Sequence, residues 1–350
     1  MMEFYVVNES LEIIGIMDQY KSAIWTERYY TSGDFEIYVP ASKEMLEMMQ
    51  ERRFLVRLDD MEKAMVIETV KLTTSASDGD YLTVTGRSLK SILSRRIVWK
   101  QTTYDGQIEK VARRMVTDAF IDPEIAARTV SSMELGEELG KQENVKVQFS
   151  GEVMETALES LLRPQKLGYN LLMDLANKKI KFVLIEGKDR SFNQSTNPFV
   201  VFSDDFENLL SSDYTNDARA FKNVALIAGE GEGTARVKTV VGSGSGLGRF
   251  ETFVDAKSQS TNSGELTEET YESLLQQKGT ESLASCAVTE SVDSEVAPNH
   301  TYVLNRDYFL GDVVEVINEY GIAMTPRVTE VIECQNDQGY TCIPTFAADE

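Results

Sequence analysis

Histidine is almost absent from this chain of 350 residues, which contains only His300. Catalytic triads, zinc proteases and most proton relays need at least one well-supported imidazole. No partner motif accompanies His300, and the residues around it at 298–301 are typical of a polar loop. We therefore expect a solvated histidine, and the sequence gives no support to histidine-based catalysis.

Cysteine is scarce as well, and the odd count of three does not suggest a disulfide framework. Cys334 and Cys342 flank a turn at residues 336–339 and are expected to lie near each other across a hairpin. A reduced pair is favoured in a cytoplasmic product. Because histidine and cysteine are both in short supply, we predict neither a metal site nor a cofactor.

Long hydrophobic runs are missing too. No stretch approaches the roughly 18 apolar residues that a membrane helix needs. The opening segment, residues 1–8, has neither a basic region nor a long apolar stretch, so it does not have the pattern of a secretion signal. We expect a soluble product that does not insert into membranes.

Positive charge is outnumbered, with 35 Lys and Arg against 57 Asp and Glu, which gives a formal net charge of −22. This balance argues against a sequence-independent grip on nucleic acid phosphates. The imbalance is concentrated in residues 251–350, where 19 acidic and 4 basic side chains leave −15. Any function of the acidity should be sought in that segment.

Familiar catalytic motifs are also missing. The glycine tract at residues 242–248 matches neither a dinucleotide-binding nor a P-loop pattern, and it is predicted to be a flexible loop or linker. No serine in this tract satisfies the G-x-S-x-G pattern of a nucleophile elbow. Paired carboxylates stay open, because a glycosidase needs only two of them ~5 to ~10 Å apart and the spacing of 57 candidates favours none.

What the sequence does contain is the period of β-strands in residues 1–100. Phe35, Ile37 and Val39 alternate with less apolar neighbours until Pro40 ends the strand. Similar strands are predicted at 4–7, 11–17, 53–58, 64–72 and 80–86, and a short helix at 42–50. This region is predicted to be a β-barrel or sandwich.

The hydrophobic period changes after residue 100. Apolar residues between 108 and 120 recur at the spacing of one helix face, which predicts a helix from about 105 that ends at Asp122. A second helix is predicted at 153–162, and a hairpin follows with strands at 169–175 and 180–185. Together these elements predict a small α+β domain.

Strands resume after this domain, and one well-marked helix interrupts them. For a helix at 267–278, Thr267 provides the N-cap, the first turn is acidic, and Gly279 provides the stop. The strands are predicted at 199–202, 221–228, 235–241, 309–317, 327–334 and 340–343.

A set of short motifs, each weak alone, runs through nearly the whole chain. The first group comprises Trp25, Glu27, Gly33, Phe35, Pro40, Gly86 and Arg95. The later group comprises Phe202, Asn223, Gly311 and Asp312. Together they resemble a phage and prophage tail-tip, or baseplate, hub family, similar to the tail-associated proteins of long-tailed phages of Gram-positive bacteria.

The resemblance implies a mainly β fold with α+β parts, in which two barrel-like β domains carry smaller α+β peripheral domains. The implied domains are 1–100 (first barrel-like domain), 101–204 (α+β domain), 205–245 with 300–350 (second, discontinuous barrel-like domain) and 246–299 (helix-containing peripheral insertion). Such hubs are homotrimers. Two similar barrels per chain would let three chains match the six equivalent subunits of a tail tube.

The resemblance also implies a structural, non-enzymatic role at the virion tail tip, after assembly in the bacterial cytoplasm. The hub would adapt the six-fold tube to a three-fold spike or fibre. Its partners would be the tail tube or distal tail protein, and a spike, fibre or tape-measure protein. DNA would pass without specific binding, so part of the −15 in residues 251–350 is expected to face the channel and repel phosphate. Gly33, Gly86 and Gly311 would be turn or close-approach positions.

An alternative from another class stays open at this point. The chain could be a cell-wall carbohydrate-binding module or a carboxylate-dependent glycoside hydrolase that uses exposed aromatic side chains. Turnover of wall polysaccharide that one Asp or Glu substitution abolishes would favour the enzyme.

Overall fold

The computed structural model describes residues 2–77, 79–261, 266–297 and 301–347. His300, for which the sequence predicts a solvated loop position, lies outside the described residues.

Strands dominate the architecture. Those of the described residues are β1 (Phe4–Val7), β2 (Ile13–Met17), β3 (Ser22–Arg28), β4 (Asp34–Pro40), β5 (Phe54–Arg57), β6 (Ala64–Thr73), β7 (Tyr81–Ser88), β8 (Thr102–Gln107), β9 (Met133–Leu135), β10 (Asn144–Phe149), β11 (Gly168–Asp174), β12 (Lys179–Ile185), β13 (Val201–Ser203), β14 (Leu209–Asp217), β15 (Val224–Ala228), β16 (Lys238–Gly242), β17 (Glu251–Asp255), β18 (Thr289–Val296), β19 (Glu315–Ile317), β20 (Ala323–Met324), β21 (Arg327–Asn336) and β22 (Gly339–Ala347).

The α-helices of the described residues are α1 (Lys43–Met48), α2 (Ile108–Val116), α3 (Met154–Leu162) and α4 (Glu268–Ala284). A π-helical turn, Thr117–Ile121, continues α2, and it ends at Asp122 as the sequence predicts. The start of α2 differs from the prediction, because residues 102–107 pair with β10 as strand β8. Strand pairing here outweighs a helical pattern that begins a few residues later.

One large sheet contains eleven strands in the order β14-β18-β22-β21-β3-β4-β7-β6-β5-β1-β2. Both predicted β regions contribute to it, because β3 pairs antiparallel with β21 across most of the chain's length. The mainly β fold class is confirmed, and the two regions share one sheet instead of closing separately. Within the described residues, the end strands β2 and β14 each pair on one side only.

Two hydrophobic cores lie along this sheet. Alternation in β4 buries Phe35, Ile37 and Val39 in the first core, together with residues of β1, β3 and β7. The second core contains Phe202 and Phe346 and belongs to the later strands. Side chains alternate between the two faces of a strand. The early strands therefore bury alternate residues in the first core, and the later strands bury alternate residues in the second.

The α+β region covers the opposite face of the first strands. Helices α2 and α3 pack with the pair β10-β8 and the sheet β11-β12-β9 around a core that also includes Val56 and Val66 of the large sheet. All four residues of β5 are buried as a result. A strand covered on both faces loses its polar alternation, which explains the apolar run at 54–56.

The later part of the chain differs from the expected division. Strands β15, β16 and β17 form a separate small sheet against α4, although 205–245 was expected in the second β domain. Strand β18, expected in the peripheral insertion 246–299, pairs with β14 and β22 in the large sheet. The composition shift at the glycine tract marks a loop inside the small sheet and gives no information on these pairings.

Helix α4 confirms the predicted start and corrects the predicted end. The Thr267 side chain accepts a hydrogen bond from Thr270 N (3.2 Å), as an N-cap does. The helix does not end at Gly279 but continues to Ala284, and Gly279 is buried within it. A Cβ at this position would overlap Ile227 of β15, so the glycine permits close contact between helix and sheet.

The cysteines are free thiols. Cys334 in β21 lies opposite Thr341, whereas Cys342 in β22 lies opposite Glu333. The predicted hairpin is therefore present, but its register turns the two thiols to opposite faces. This geometry keeps Cys334 and Cys342 from forming a disulfide.

Candidate functional site

The aromatic motif residues lie at the centre of the first core. Trp25 is 1% exposed, stacks on Phe4 at a centroid distance of 5.6 Å, and lies 6.4 Å from Phe35. Its indole Nε1 donates to Glu27 Oε1 (3.1 Å). Trp25, Glu27 and Phe35 are therefore brought together by the adjacent strands β3 and β4.

A buried network of charges begins at Glu27. Its carboxylate pairs with Lys63 (3.0 Å), and Arg57 pairs with Glu333 (2.5 Å) and Asp59 (2.6 Å). Burial alone would raise the pKa of Glu27, but Lys63 and Arg57 outweigh it and hold that pKa below its usual value. The network joins the N-terminal strands to β21 and lines a cleft of about 550 Å³.

Two motif glycines permit close backbone contact beside this network. A Cβ at Gly33 would overlap the Thr26 carbonyl oxygen, and one at Gly86 would overlap the Val66 carbonyl oxygen. Gly33 N also donates to Ser88 Oγ (3.0 Å). The geometry at Gly33 and Gly86 is therefore that of close approach between neighbouring strands.

Gly311 and Asp312 lie at a second junction, around the fully buried Tyr29. Gly311 has a φ of +96°, and a Cβ there would overlap the Tyr29 ring. The Tyr29 hydroxyl donates to the Ile185 carbonyl (3.0 Å) and accepts from Gly187 N (3.2 Å). Burial raises the pKa of Tyr29 to about 12.

Asp312 fixes the same junction electrostatically. Its carboxylate pairs with Arg190 (2.5 Å) and accepts from Lys188 N (2.7 Å) and Phe309 N (3.0 Å). Asp312 and Arg190 are both buried. The segment that leaves the α+β region is thus attached to the segment that enters the last strands.

Phe202 belongs to the second core, whereas Trp25 and Phe35 belong to the first. Its ring makes edge contacts with Tyr308 at 5.3 Å and Tyr302 at 5.8 Å, and a tilted contact with Phe346 at 5.4 Å. It is 1% exposed. Strand β13 carries it against β19, so Phe202 anchors the start of the later β region.

Asn223 organises the glycine tract. Its Nδ2 donates to the Gly248 carbonyl (2.8 Å) and its Oδ1 accepts from Phe250 N (2.9 Å). Gly242 has a φ of +88° and lies against the Asn223 carbonyl, where a Cβ would overlap. Of the two predicted alternatives, a flexible loop or a linker, the tract forms a loop, and hydrogen bonds hold it between β16 and β17.

The remaining two motif positions lie on the surface. Pro40 ends β4 opposite Tyr81 of β7. Arg95 ends the 3₁₀ helix Leu89–Arg95 and is exposed. Neither is part of the clusters around Trp25 and Tyr29.

The network of Arg57, Lys63 and Glu333 was missed by reasoning from the sequence. A signal was present, since Arg57 follows the buried Leu55 by two positions and so faces the same core. Glu333 similarly interrupts an apolar strand. The ion pair between Arg57 and Glu333 could not be predicted from the sequence, because 276 positions separate the two residues.

The end strands of the large sheet leave apolar side chains uncovered. Edge strand β2 exposes Ile13, Ile14 and Ile16, and β14 at the other end exposes Leu210. Unpaired edges with apolar side chains are surfaces for strand addition. These two edges are the candidate assembly surface.

Two kinds of feature, a cluster of metal ligands and a helix that could span a membrane, were sought in the described ranges. No cluster of three or more His, Cys, Asp or Glu side chains suited to a metal ion occurs there. In the same ranges, none of the helices has the length and apolarity to cross a bilayer.

Three solved tail proteins have the same fold. A tail protein from Neisseria meningitidis MC58 superposes with a TM-score of 0.62 at 12% identity, covering 99% of this chain and 97% of that one. The 43 kDa tail protein of prophage MuSo2 from Shewanella oneidensis gives 0.60 at 12% identity, with coverage of 99% and 98%. Prophage tail protein gp18 from Listeria monocytogenes gives 0.53 at 12% identity, with coverage of 99% and 94%.

The sequence itself matches a family model. A comparison with curated protein sequences found no match. The model described as Siphovirus ReqiPepy6 Gp37-like protein matches residues 3–346, which include all eleven motif positions. The resemblance to phage tail proteins is confirmed, and the chain belongs to the Siphovirus ReqiPepy6 Gp37-like protein family.

Proposed function

We propose that this phage tail protein is a homotrimeric, non-enzymatic hub at the tail tip, which adapts a six-fold tail tube to a three-fold spike or fibre. The observation that carries the proposal is the eleven-stranded sheet, whose end strands β2 and β14 differ and, within the described residues, each pair on one side only. Membership of a tail protein family supports the location in the virion.

The sheet edges favour a ring over other assemblies. A monomer that exposes Ile13, Ile14 and Ile16 on an edge strand would be prone to aggregation. Because β2 and β14 differ, a contact between them is heterologous, and a heterologous contact that closes gives rotational symmetry. The hub resemblance selects three as the number of subunits.

The symmetry adaptation follows from the two cores of each chain. One sheet presents a first core around Trp25 and a second around Phe202. Three chains therefore offer six core-bearing sheet regions to the tail tube or distal tail protein above. A spike, fibre or tape-measure protein would contact the three-fold side.

The acidic C-terminal segment can contribute only in part to a channel that DNA crosses. Asp312, Glu315 and Glu333 are buried. Glu268 and Glu272 of α4 are exposed and available to repel phosphate. We propose that exposed carboxylates of residues 251–350 face the lumen and let DNA pass without specific binding.

We also propose that the motif residues specify the fold and perform no chemistry. Trp25, Phe35 and Phe202 are core side chains, and Gly33, Gly86 and Gly311 permit close contacts. Asp312 and Glu27 form ion pairs inside the protein. Substitution of these residues should therefore lower stability and leave no specific catalytic defect.

The trimer is tested by mass in solution with a matched pair of variants. The wild-type chain should elute in light scattering at about three times 39.3 kDa. Ile16→Lys adds a charge to edge strand β2 and should give a folded monomer. Leu247→Lys, at a fully exposed loop position, should leave the trimer intact.

A wild-type monomer at micromolar concentration, or a trimer that survives Ile16→Lys, would contradict the edge-pairing proposal. The location is tested separately by electron microscopy of tails that carry an affinity tag on the glycine loop at 242–248. Label at the distal end of the tube is expected, and label along the tube would overturn the tail-tip assignment.

A further inference from the structure

A cleft of about 420 Å³ opens on the α+β region, away from the two junctions described above. Its floor is apolar and its rim is polar. The floor includes Val98, Met115, Ala119 and Met154. Small-molecule sites commonly have such a volume, about 300–1,000 Å³, and combine an apolar lining with a few polar groups.

An exposed tryptophan stands at the wall of this cleft. The chain has two tryptophans, and Trp25 is 1% exposed whereas Trp99 is 58% exposed. The Arg128 guanidinium lies 5.3 Å from the centroid of the Trp99 ring and donates to the Ile97 carbonyl (2.8 Å). The indole is therefore held in place by a neighbour while much of its surface stays open.

The helix wall of the cleft is irregular where it faces Trp99. The π-helical turn Thr117–Ile121 brings Asp118 and Ala119 to the lining, and Asp122 N closes it on Thr117 O (2.9 Å). Turns of this kind are rare and are frequently found at functional sites. Ala119 and Phe120 of the turn pack in the core of the α+β region, whereas Asp118 lies at the lining of the cleft.

Asp118 is the central polar group of this wall. It interacts with the Tyr104 hydroxyl and lies 3.5 Å from Arg114. Burial raises its pKa, although Arg114 acts in the opposite direction. A partly desolvated carboxyl group in a cleft is a marker of binding sites when the geometry supports it.

The rim adds charged groups of both signs. Lys100 pairs with Glu124 (2.5 Å), and Asp122 is also part of the lining. With Asp118 and Arg128, the lining has three carboxylates and two cations. A phosphate-rich ligand would be repelled by the net charge of −1 on this lining, whereas a neutral ligand with many hydroxyl groups would find both acceptors and donors.

We infer that this cleft binds a neutral saccharide, with the Trp99 ring as an apolar platform for a sugar face and Asp118, Asp122 and Glu124 as acceptors for its hydroxyl groups. Sugar rings combine an apolar face with hydroxyl groups at the edge, which matches an aromatic wall beside carboxylates. The inference does not depend on the trimer or on the sheet edges.

Calorimetry with defined neutral trisaccharides tests the inference on the full-length protein. Maltotriose, cellotriose and tri-N-acetylglucosamine serve as probes, and at least one should bind with a Kd of about 0.1–1 mM. Binding should also change the fluorescence of the exposed tryptophan. Trp99→Ala should weaken the affinity at least tenfold, and Asp118→Asn should weaken it severalfold.

Phe253→Ala is the matched control, because Phe253 is 57% exposed but lies on the small sheet outside the cleft. It should bind as the wild type does. Failure of all three probes to bind below about 10 mM would overturn the inference, as would equal affinities of the Trp99→Ala and Phe253→Ala variants. New reducing ends would overturn the non-enzymatic proposal while supporting saccharide binding.

Discussion

Lys90 places an ammonium group inside the protein, where the residue is 4% exposed. Its Nζ donates to the carbonyl oxygens of Arg28 (2.5 Å) and Tyr29 (3.1 Å) and lies 5.1 Å from the centroid of the Tyr169 ring. These contacts attach the end of β3 to the α+β region. Burial nevertheless lowers the pKa of Lys90 to about 8.

This shift predicts a pH dependence of stability. Between pH 8 and the unfolded value of 10.5, the unfolded chain keeps the Lys90 proton that the folded chain has lost. Stability should therefore rise with pH there, by about 1.5 kcal/mol between pH 8 and 9.5 relative to Lys90→Met. Urea unfolding of both proteins from pH 7 to 9.5 measures the difference. If the free energy of unfolding depends on pH in the same way for wild type and Lys90→Met, the lowered pKa of Lys90 is contradicted.

At the scale of single residues, the sequence predicted the local role of a side chain better than it predicted the contacts of that side chain. The alternation around Phe35 indicated which side chains enter a core, and Thr267 was recognised as a cap from local spacing alone. The hydrogen-bond partners of the Tyr29 hydroxyl and the ion-pair partner of Asp312 could not be predicted, because they come from segments more than 100 positions away. Local rules contain no information about such contacts.

Among the elements, α4 shows how packing overrides propensity. Gly279 normally would cost about 1 kcal/mol in a helix relative to alanine. Here a Cβ would overlap Ile227 and lie about 3.0 Å from Val241 Cγ2. Gly279→Ala should therefore destabilise the protein by about 1–3 kcal/mol, as overpacked cores do. Thermal or urea unfolding measures the change.

Two further variants separate crowding from other effects at this helix. Thr280→Ala, at the exposed neighbouring position, should change stability by less than about 0.5 kcal/mol. In the background of Ile227→Ala, which removes the obstructing side chain, Gly279→Ala should become neutral or stabilising. A stabilising Gly279→Ala in the wild-type background would show that helix and sheet separate easily.

The elements themselves were largely predictable, and their partners were not. Strands β4 and β7 and helix α3 lie within about two residues of their predicted limits. The sheets to which β15 and β18 belong could not be predicted from the sequence. Alternation identifies the buried face of a strand but does not identify the strand it pairs with. A glycine-rich composition likewise does not distinguish a linker from a tight loop.

For the whole molecule, the buried pair of Arg57 and Glu333 connects the N-terminal strand β5 with the C-terminal strand β21 of the large sheet. Both side chains are about 5% exposed, and the Tyr340 hydroxyl donates to Glu333 (2.9 Å). Such a pair is expensive to break from one side, because the remaining charge stays buried. It is therefore a sensitive probe of the sheet's continuity.

Single and double substitutions test this coupling. Arg57→Met and Glu333→Leu should each destabilise the chain by about 3–5 kcal/mol. The double variant should lose less stability than the two single variants added together, by at least about 1 kcal/mol. The reason is that removal of both side chains leaves neither charge buried without its partner. Urea unfolding of the four proteins gives the coupling energy. Additive losses would mean that the two residues do not interact in solution.

The pairing of β3 with β21 also sets the order of events during synthesis. Arg28 and its partner Glu330 are 302 positions apart, so the ribosome needs about 15 to 60 s to make the second after the first at ~5–20 residues per second. During that interval β3 has no β21 to pair with. Until β21 has been made, β3 is therefore a further open strand of the nascent chain. We expect a chaperone to be needed to keep this strand from pairing with a nascent chain on a neighbouring ribosome.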